Sequence, residues 1–171
     1  MTSEAAHGRA AIDARVEQAL TTLGVSFRRM PCDPALADTA AFCAHYGVPP
    51  DRTGNTIVVA SKKEPRQHAA CLVLATSRLD VNHMVTRLMG VKRLSFATAE
   101  ETRSLTGMEM GGVTVFGLPD GMPLYVDSRV MALDQVLVGG GSRSWKFWIA
   151  PEALLRIPGA SVVDGLAALP G

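Results

Sequence analysis

Two glycine-rich segments are the parts of this sequence best suited to binding chemistry. They are GGVTVFG at 111–117 and GGGSR at 139–143. Because glycine has no Cβ, such segments adopt positive φ and let consecutive backbone N–H groups approach an anion or a developing oxyanion. Arg143 and Lys146, beside the second segment, would suit a phosphate. From spacing alone we favour the alternative that both segments are ordinary hairpin connections and bulges, with solvated cations at the strand ends.

Neither glycine segment matches a nucleotide-binding motif. In the first, leucine follows the last glycine, where a P-loop requires Lys followed by Ser or Thr. The second segment follows one strand and precedes another, whereas the dinucleotide-binding fingerprint requires a helix at that point. The sequence therefore predicts no nucleotide cradle of these types.

The sequence also lacks metal-site and nucleophile signatures. The four histidines do not fall into H-E-x-x-H or any Cys/His ligand spacing, and no G-x-S-x-G elbow occurs. The three cysteines include no C-x-x-C pair, so we expect reduced, packed thiols, no disulfide framework and no metal. Spacing alone leaves open a Cys/His pair that meets in space. These residues are His7, His45, His68, His83, Cys32, Cys43 and Cys71.

The stretch DRTGNTIVVASKK, residues 51–63, has an apolar run with Asn55 and Thr56 at one end and two lysines at the other. Such a run is typical of a buried strand. At ~3.3 Å per residue, Lys62 and Lys63 would lie about 23–26 Å from Asn55. We interpret these lysines as solvated residues of a hairpin turn, and contact with a phosphate backbone is the less favoured alternative.

Hydrophobic periodicity predicts the helices that must position these residues. The first has apolar residues at 12, 16, 20 and 23 and ends at Gly24. Another has an apolar stripe that consists of Val81, Met84, Val85, Leu88 and Met89. Three later helices are predicted to begin at a cap residue and to end at a glycine: Asp38 or Thr39 to Gly47, Asp80 to Gly90, and Thr98 to Gly107. Pro151 is predicted to begin a last helix, EALLRI.

Strand runs occur among these helices in a mixed order. They lie at 25–30, 55–61, 68–76, 91–96, 123–127 and 161–164, with two further runs within 135–151. The second and third runs are separated by a polar turn, which predicts an antiparallel hairpin. Because strands and helices do not alternate regularly, we expect an α+β fold with a mostly antiparallel sheet.

Length and composition limit the organisation and location of the protein. A chain of 171 residues suits one domain, 1–171, whose core we place at about 10–165. No stretch approaches the ~18 to 20 apolar residues of a membrane helix, and the N-terminus lacks the apolar region of a signal peptide. We therefore expect a cytoplasmic protein with no membrane partner. The net charge of +1 gives no broad nucleic-acid footprint, so any such contact must be local.

Five segments, taken in order, resemble the YbaK and prolyl-tRNA synthetase editing-domain family of aminoacyl-tRNA deacylases. They are NTIVV, CLVLATSRLDV, GVKRLSFATAEETRSLTGMEMGGVTVFGLP, PLYVD, and VGGGSRSWKFWI followed by PEALL. The resemblance runs from about residue 10 to 165. It implies a curved, partly barrel-like mixed sheet, mostly antiparallel and surrounded by helices, with a pocket between the two glycine segments.

The resemblance also implies a reaction, which is hydrolysis in trans of the ester that joins a wrongly attached small amino acid to the 3′ end of tRNA. Family members use no metal, no cofactor and no protein nucleophile. A positioned water or the substrate's own side chain attacks, while the backbone of the glycine loop fixes the carbonyl. The implied partners are the acceptor end of an aminoacyl-tRNA and, as a further candidate, an aminoacyl-tRNA synthetase.

Site residues follow from the same resemblance. The backbone of Gly111, Gly112 and Val113 would position the carbonyl and the water. Asn55 and Thr56 would bind the terminal adenosine or the amino group. The remaining predicted substrate-binding residues would shape the same loop or line the opposite wall: Gly117, Gly140, Gly141, Ser142 and Arg143.

Two residues depart from the family pattern at this site. Asn55 stands where relatives usually have a lysine that holds the terminal phosphate and ribose, and Val115 stands where the glycine loop usually has proline. Replacing an ammonium–phosphate contact by a neutral amide costs about one order of magnitude in affinity. An alternative is therefore a catalytically weakened member that binds tRNA ends, a nucleotide or a protein partner.

Overall fold

The computed structural model describes residues 3–169. Its strands are β1 (Phe27–Pro31), β2 (Gly54–Ser61), β3 (His68–Leu74), β4 (Arg78–Leu79), β5 (Leu94–Phe96), β6 (Leu124–Asp127), β7 (Val136–Gly139), β8 (Trp145–Ile149), β9 (Ala160–Val163) and β10 (Ala167–Ala168). Its α-helices are α1 (Ser3–Thr22), α2 (Thr39–Tyr46), α3 (Thr86–Met89), α4 (Ala99–Thr106) and α5 (Ser128–Met131). Short 3-10 segments lie at Pro34–Leu36, Pro50–Arg52 and Pro151–Arg156.

Two larger sheets meet at the start of β2. One has the order β1-β8-β7 and is antiparallel, and the other has the order β5-β2-β3-β6-β9. In the second sheet β5, β2 and β3 are antiparallel, whereas β6 and β9 join in parallel. Thr53, just before β2, bridges to Leu137 of β7 and links the two sheets. The predicted α+β fold with mostly antiparallel strands is confirmed.

Several predicted elements are confirmed in detail. Strands β2 and β3 form the predicted hairpin, with Asn55 opposite Val73. Helix α1 buries Ile12, Val16 and Leu20 in the main core, which also contains residues of both larger sheets. Each such side chain contributes about 1.5–3 kcal/mol when fully buried, so the apolar spacing of α1 fixes which face packs inward.

Helix α2 sits over the outer face of the three-stranded sheet and brings its N-terminus to the meeting point of the sheets. Its Phe42 and Cys43 are buried, and Phe42 packs in a second cluster with Leu137. The helix ends at Gly47, whose φ of 69° is the left-handed conformation that glycine adopts without strain. Asp38 occupies the predicted N-cap position, but its side chain makes no cap hydrogen bond.

The predicted helices at 81–89 and after Pro151 differ from the expectation. The first is a π-helical turn, Val81–Val85, followed by the short α3, because the N–H groups of Val85 and Thr86 donate to carbonyls five residues back, those of Asp80 and Val81. Leu88, predicted in the apolar stripe, is exposed. The last predicted helix, Pro151–Arg156, is 3-10 rather than α.

The structure bears on the predictions about cysteines, metal sites and membrane spans within residues 3–169. All three cysteines are unpaired and buried. Within this range no group of three or more His, Cys, Asp or Glu side chains could hold a metal ion. No helix in the same range combines the length and the apolar character needed to cross a membrane.

Candidate functional site

A cavity of about 210 Å³ opens where the two larger sheets meet. The start of β2, the N-terminus of α2, the end of β7 and the first glycine bend (110–113) enclose it, and β8 adds one lysine. The lining residues are Asp38, Thr39, Phe42, Thr53, Gly54, Asn55, Thr56, Ile57, Met110, Gly111, Val113, Leu137, Val138, Gly139 and Lys146.

Lys146 reaches this cavity because of the alternation in β8. Residues that are two apart in a strand face the same side, so Phe147 and Ile149 point into the main core. Lys146 and Trp148 then face the opposite side, which α2 covers, and Trp148 packs against the cluster that contains Phe42. Lys146 is consequently only 8% exposed.

The buried ammonium of Lys146 is bound by two backbone carbonyls. Its Nζ donates to the oxygen of Ala37 at 2.8 Å and to that of Gly111 at 2.5 Å, and it lies 5.3 Å from the centre of the Phe42 ring. An ammonium has three N–H donors, so one remains for a ligand in the cavity. Burial, reinforced by nearby Arg143, lowers the pKa of Lys146, although Asp38 and two cysteines oppose this shift.

Asn55 and Thr56, which the family resemblance assigned to substrate binding, both line the cavity. The Thr39 hydroxyl donates to Oδ1 of Asn55 at 2.7 Å, which fixes the amide and leaves its NH₂ group without a protein acceptor in the part of the chain that the structure describes. The Thr56 hydroxyl oxygen is buried and also has no hydrogen-bond partner there. Both groups are therefore available to a ligand.

Three carbonyl groups of the first glycine bend are held by donors from β8 and the adjoining loop. Arg143 Nη1 donates to Met110 O at 2.6 Å, Lys146 Nζ binds Gly111 O, and the Gly141 N–H donates to Gly112 O at 2.6 Å. Because C=O and N–H point in opposite directions in a trans peptide, these bonds also fix the N–H groups that follow each carbonyl.

Those N–H groups belong to the three predicted catalytic residues. The Gly112 N–H closes a turn by donating to Glu109 O at 2.8 Å. Within residues 3–169, the N–H groups of Gly111 and Val113 have no hydrogen-bond acceptor, and both residues line the cavity. The structure therefore brings Gly111 and Val113, but not the Gly112 N–H, to a place where a ligand can accept from them.

The second glycine bend (139–143) packs directly against the first. A Cβ on Gly139 would lie 2.5 Å from Val113 O, so only glycine allows this approach. Gly139 itself lines the cavity. The predicted wall residues Gly140, Gly141, Ser142 and Arg143 stand behind this contact and support the first bend rather than lining the cavity beside Asn55.

Arg143 connects three segments around the site. Besides Met110 O, its guanidinium binds the Asp38 carboxylate at 3.0 Å and the Pro34 carbonyl at 2.8 Å. Its backbone N–H donates to the Glu109 carboxylate at 3.2 Å. These bonds place Arg143 as a support that ties α2 to the first glycine bend.

Gly117 and Val115 lie elsewhere. Gly117, with φ of 81°, lines a separate cavity between α1 and the 115–122 loop, so the structure does not bring it together with Asn55. Val115 is 1% exposed, packs in the main core and borders that same separate cavity. Its departure from the family pattern therefore falls outside the cavity that Asn55 lines.

Sequence reasoning named Lys146 only as a cation that would suit a phosphate beside the second glycine segment and did not place it in the pocket. It did not include the α2 residues Thr39 and Phe42 among the site residues. A signal for Lys146 was present, since it is a single lysine at an alternating position of an otherwise apolar strand, WKFWI. For Thr39 and Phe42 no local signal exists, because their place at the site depends on how α2 packs on the sheet.

Comparison with known proteins gives one consistent result. A sequence model described as an aminoacyl-tRNA editing domain matches residues 33–157. The crystal structure of hypothetical protein APE2540 is 27% identical, with a TM-score of 0.79 over 90% of this chain and 99% of its own. That of a proposed trans-editing enzyme for prolyl-tRNA synthetase is 28% identical, with a TM-score of 0.78 over 94% and 98%. A scaffold protein used for epitope grafting is 26% identical, with a TM-score of 0.77 over 94% and 98%.

Proposed function

The chain belongs to the aminoacyl-tRNA editing domain family, and from this premise we propose that it is a trans-acting deacylase that removes a small mischarged amino acid from tRNA. One observation supports the proposal most. The unpaired N–H groups of Gly111 and Val113 line the same cavity as the buried ammonium of Lys146. A site for an ester next to a phosphate needs oriented neutral donors beside a cation.

In the proposed reaction, the carbonyl oxygen of the substrate ester accepts hydrogen bonds from the N–H groups of Gly111 and Val113. Water attacks the carbonyl carbon, and the negative charge that develops on this oxygen is stabilised by donors already fixed in place. The bond between the carbonyl carbon and the ribose oxygen then breaks. One proton of the water ends on the ribose oxygen, the other passes to solvent, and the amino acid leaves with a free carboxylate.

The nucleophile is water in this proposal. The described residues that line the cavity include threonines but no cysteine, serine or histidine. The buried Thr56 hydroxyl, which has no protein partner, is our candidate to hold the attacking water. Lys146 and the Asn55 amide bind the terminal phosphate or ribose, so that Lys146 supplies the positive charge that position 55 lacks.

Two adjoining cavities would hold different parts of the substrate. The cavity of about 210 Å³ is smaller than the roughly 300–1,000 Å³ of sites for larger ligands, which suits a small amino acid. A neighbouring, more open hollow shares Thr39 and Asn55 with it and has apolar walls that include Cys43 and Val48. We assign the terminal adenosine to this hollow, and the ester then lies beside Asn55.

The proposal includes the acceptor end of an aminoacyl-tRNA as partner and the cytoplasm, where tRNA is charged, as location. The relative described as acting for prolyl-tRNA synthetase makes proline-specific tRNA charged with a wrong small amino acid the first substrate to test and that synthetase the first partner to test.

The test is a deacylation panel of alanyl-, cysteinyl-, seryl- and prolyl-tRNA, each incubated with the purified protein and with a buffer control. We expect faster release of at least one small amino acid, with the same rate when a chelator is present. If every ester survives as long as in buffer, the deacylase proposal is wrong.

A second candidate is a binding module without catalysis. The observation that favours it is the neutral Asn55, whose carbonyl oxygen is already engaged by Thr39. This module would bind tRNA ends, a nucleotide or a protein partner in the same cavity. Silence of the wild-type protein in the panel, followed by activity in Asn55→Lys, would support this candidate, and robust wild-type activity would eliminate it.

A further inference from the structure

Positive charge in this chain is concentrated in one stretch. Residues 61–93 contain seven of the seventeen Lys and Arg residues but only two of the sixteen Asp and Glu residues. The net charge of the whole chain is +1, so the remainder of the protein is net negative. The near-neutral total therefore conceals a local excess of cations.

Four of these cations surround one open groove of about 560 Å³. We name these four residues the basic edge. They come from the β2–β3 turn and from the segment before β5, and they are Lys62, Lys63, Lys92 and Arg93. The Lys62 N–H donates to Arg93 O at 3.2 Å and holds the two segments together. All four side chains are exposed, and none has an ion pair or hydrogen bond among residues 3–169. The acid that also lines the groove is Glu64.

A protective role explains the basic edge only in part. β5 is the outermost strand of its sheet, and charged residues on such strands oppose pairing with other proteins. One or two lysines are enough for that purpose. Four unpaired cations that converge on one groove repel each other, and an external polyanion would relieve that repulsion.

The basic edge is too far from the candidate site to bind the ester itself. Lys62 follows Asn55 by seven residues along β2, which at ~3.3 Å per residue is about 23 Å. A tRNA whose 3′ terminus occupies the cavity continues from a short single strand into a duplex, and the phosphates of that duplex lie at such distances from the ester.

We propose that the basic edge binds the phosphate backbone of the acceptor stem of the tRNA whose 3′ end enters the cavity. This inference rests on the proposed function, which it extends from the terminal nucleotide to the duplex. Because lysine side chains bind phosphates as point charges without reading bases, the edge positions the RNA and does not select its sequence. The basic edge accounts for RNA binding by a protein with almost no net charge.

The experiment measures binding of uncharged tRNA at several salt concentrations. The variant Lys62→Gln/Lys63→Gln is compared with Arg28→Gln/Arg29→Gln, which removes two exposed charges from β1 in the other sheet. We expect the slope of log affinity against log salt to become shallower by about 1.8 in the first variant, at ~0.9 per phosphate contact. The slope of the control should equal that of the wild type. Thermal melting checks that both variants fold.

Equal slopes in the two variants would overturn the proposal. Displacement of the bound tRNA by polyglutamate as effectively as by competing tRNA would also overturn it, because that result would indicate an acidic protein partner. Hydrolysis of the 3′-O-aminoacyl ester of AMP, which carries the terminal phosphate but no duplex, separates this outcome from failure of the deacylase proposal. The Lys62→Gln/Lys63→Gln variant should hydrolyse that ester at the wild-type rate. If no protein hydrolyses it, the proposed function fails, while the salt slopes still test the basic edge.

Discussion

The ammonium of Lys146 donates to the carbonyl oxygen of Gly111 at 2.5 Å. This bond makes the cation and the first glycine bend one unit, because the same peptide group also donates its N–H, that of Gly112, to Glu109 O. The peptide is thus held at both ends. The N–H groups on either side of it, those of Gly111 and Val113, are aligned before any substrate arrives, which is the preorganisation that oxyanion stabilisation requires.

Replacement of Lys146 by methionine should reduce kcat/KM for deacylation by about 10- to 100-fold. The reason is the loss of a charge-assisted hydrogen bond worth about 1.5–3 kcal/mol, at ~1.4 kcal/mol per tenfold. The measurement uses the 3′-O-aminoacyl ester of AMP, which keeps the terminal phosphate, and on this ester Lys62→Met serves as a matched lysine control with no expected effect. Unchanged kinetics in a folded Lys146→Met protein would show that the ammonium does not contact the substrate.

Asn55→Lys should restore activity to the Lys146→Met protein. Both positions line one cavity, so a new ammonium at the start of β2 would replace the lost charge. In the wild-type background the same change should help less, because two like charges would then share the cavity. The four proteins form a double-mutant cycle that measures the coupling between positions 55 and 146. An equal effect of Asn55→Lys in both backgrounds would contradict the prediction that the two positions supply one shared charge.

Gly139→Ala should destabilise the protein, because its new Cβ would lie 2.5 Å from Val113 O and 2.7 Å from Gly112 O. Overpacking of this kind costs about 1–3 kcal/mol, which lowers the thermal midpoint by roughly 2–12 °C for a chain of this size. The control is Gly8→Ala in α1, where nothing lies within 4 Å and the midpoint should rise slightly. Equal midpoints for the two variants would show that the bends are not in close contact.

The sequence predicted those parts of the fold that depend on local rules. Caps and glycines with positive φ bounded α2 and α4, and alternation together with a polar turn located the β2–β3 hairpin. The exception was 81–89, where backbone N–H groups donate to carbonyls five residues back and form a π-helical turn. Hydrophobic periodicity does not distinguish one such turn from a turn of α-helix.

The candidate site was less predictable because it depends on long-range packing. Asn55 and Gly111 were identified from their segments. Lys146 was noted only as a cation beside the second segment, because the sequence does not show which face of β8 is covered by α2. Likewise, two glycine segments were expected to face each other across a pocket. Their close contact at Gly139 and Val113 appears only when the β7–β8 hairpin is placed against the first bend.

The pH dependence of stability and of anion binding should share one origin in Lys146. Its pKa is lowered by burial below the ordinary lysine value of about 10.4. Between the lowered value and the ordinary one, the unfolded chain holds a proton that the folded chain has released, so the free energy of unfolding rises with pH in that range. Over the same range the cavity loses its positive charge, and affinity for an anionic ligand should fall. Urea denaturation and AMP binding of wild type and Lys146→Met, each from pH 8 to about pH 10.5, test both signs. If the two proteins show the same pH dependence, Lys146 does not titrate as its burial requires.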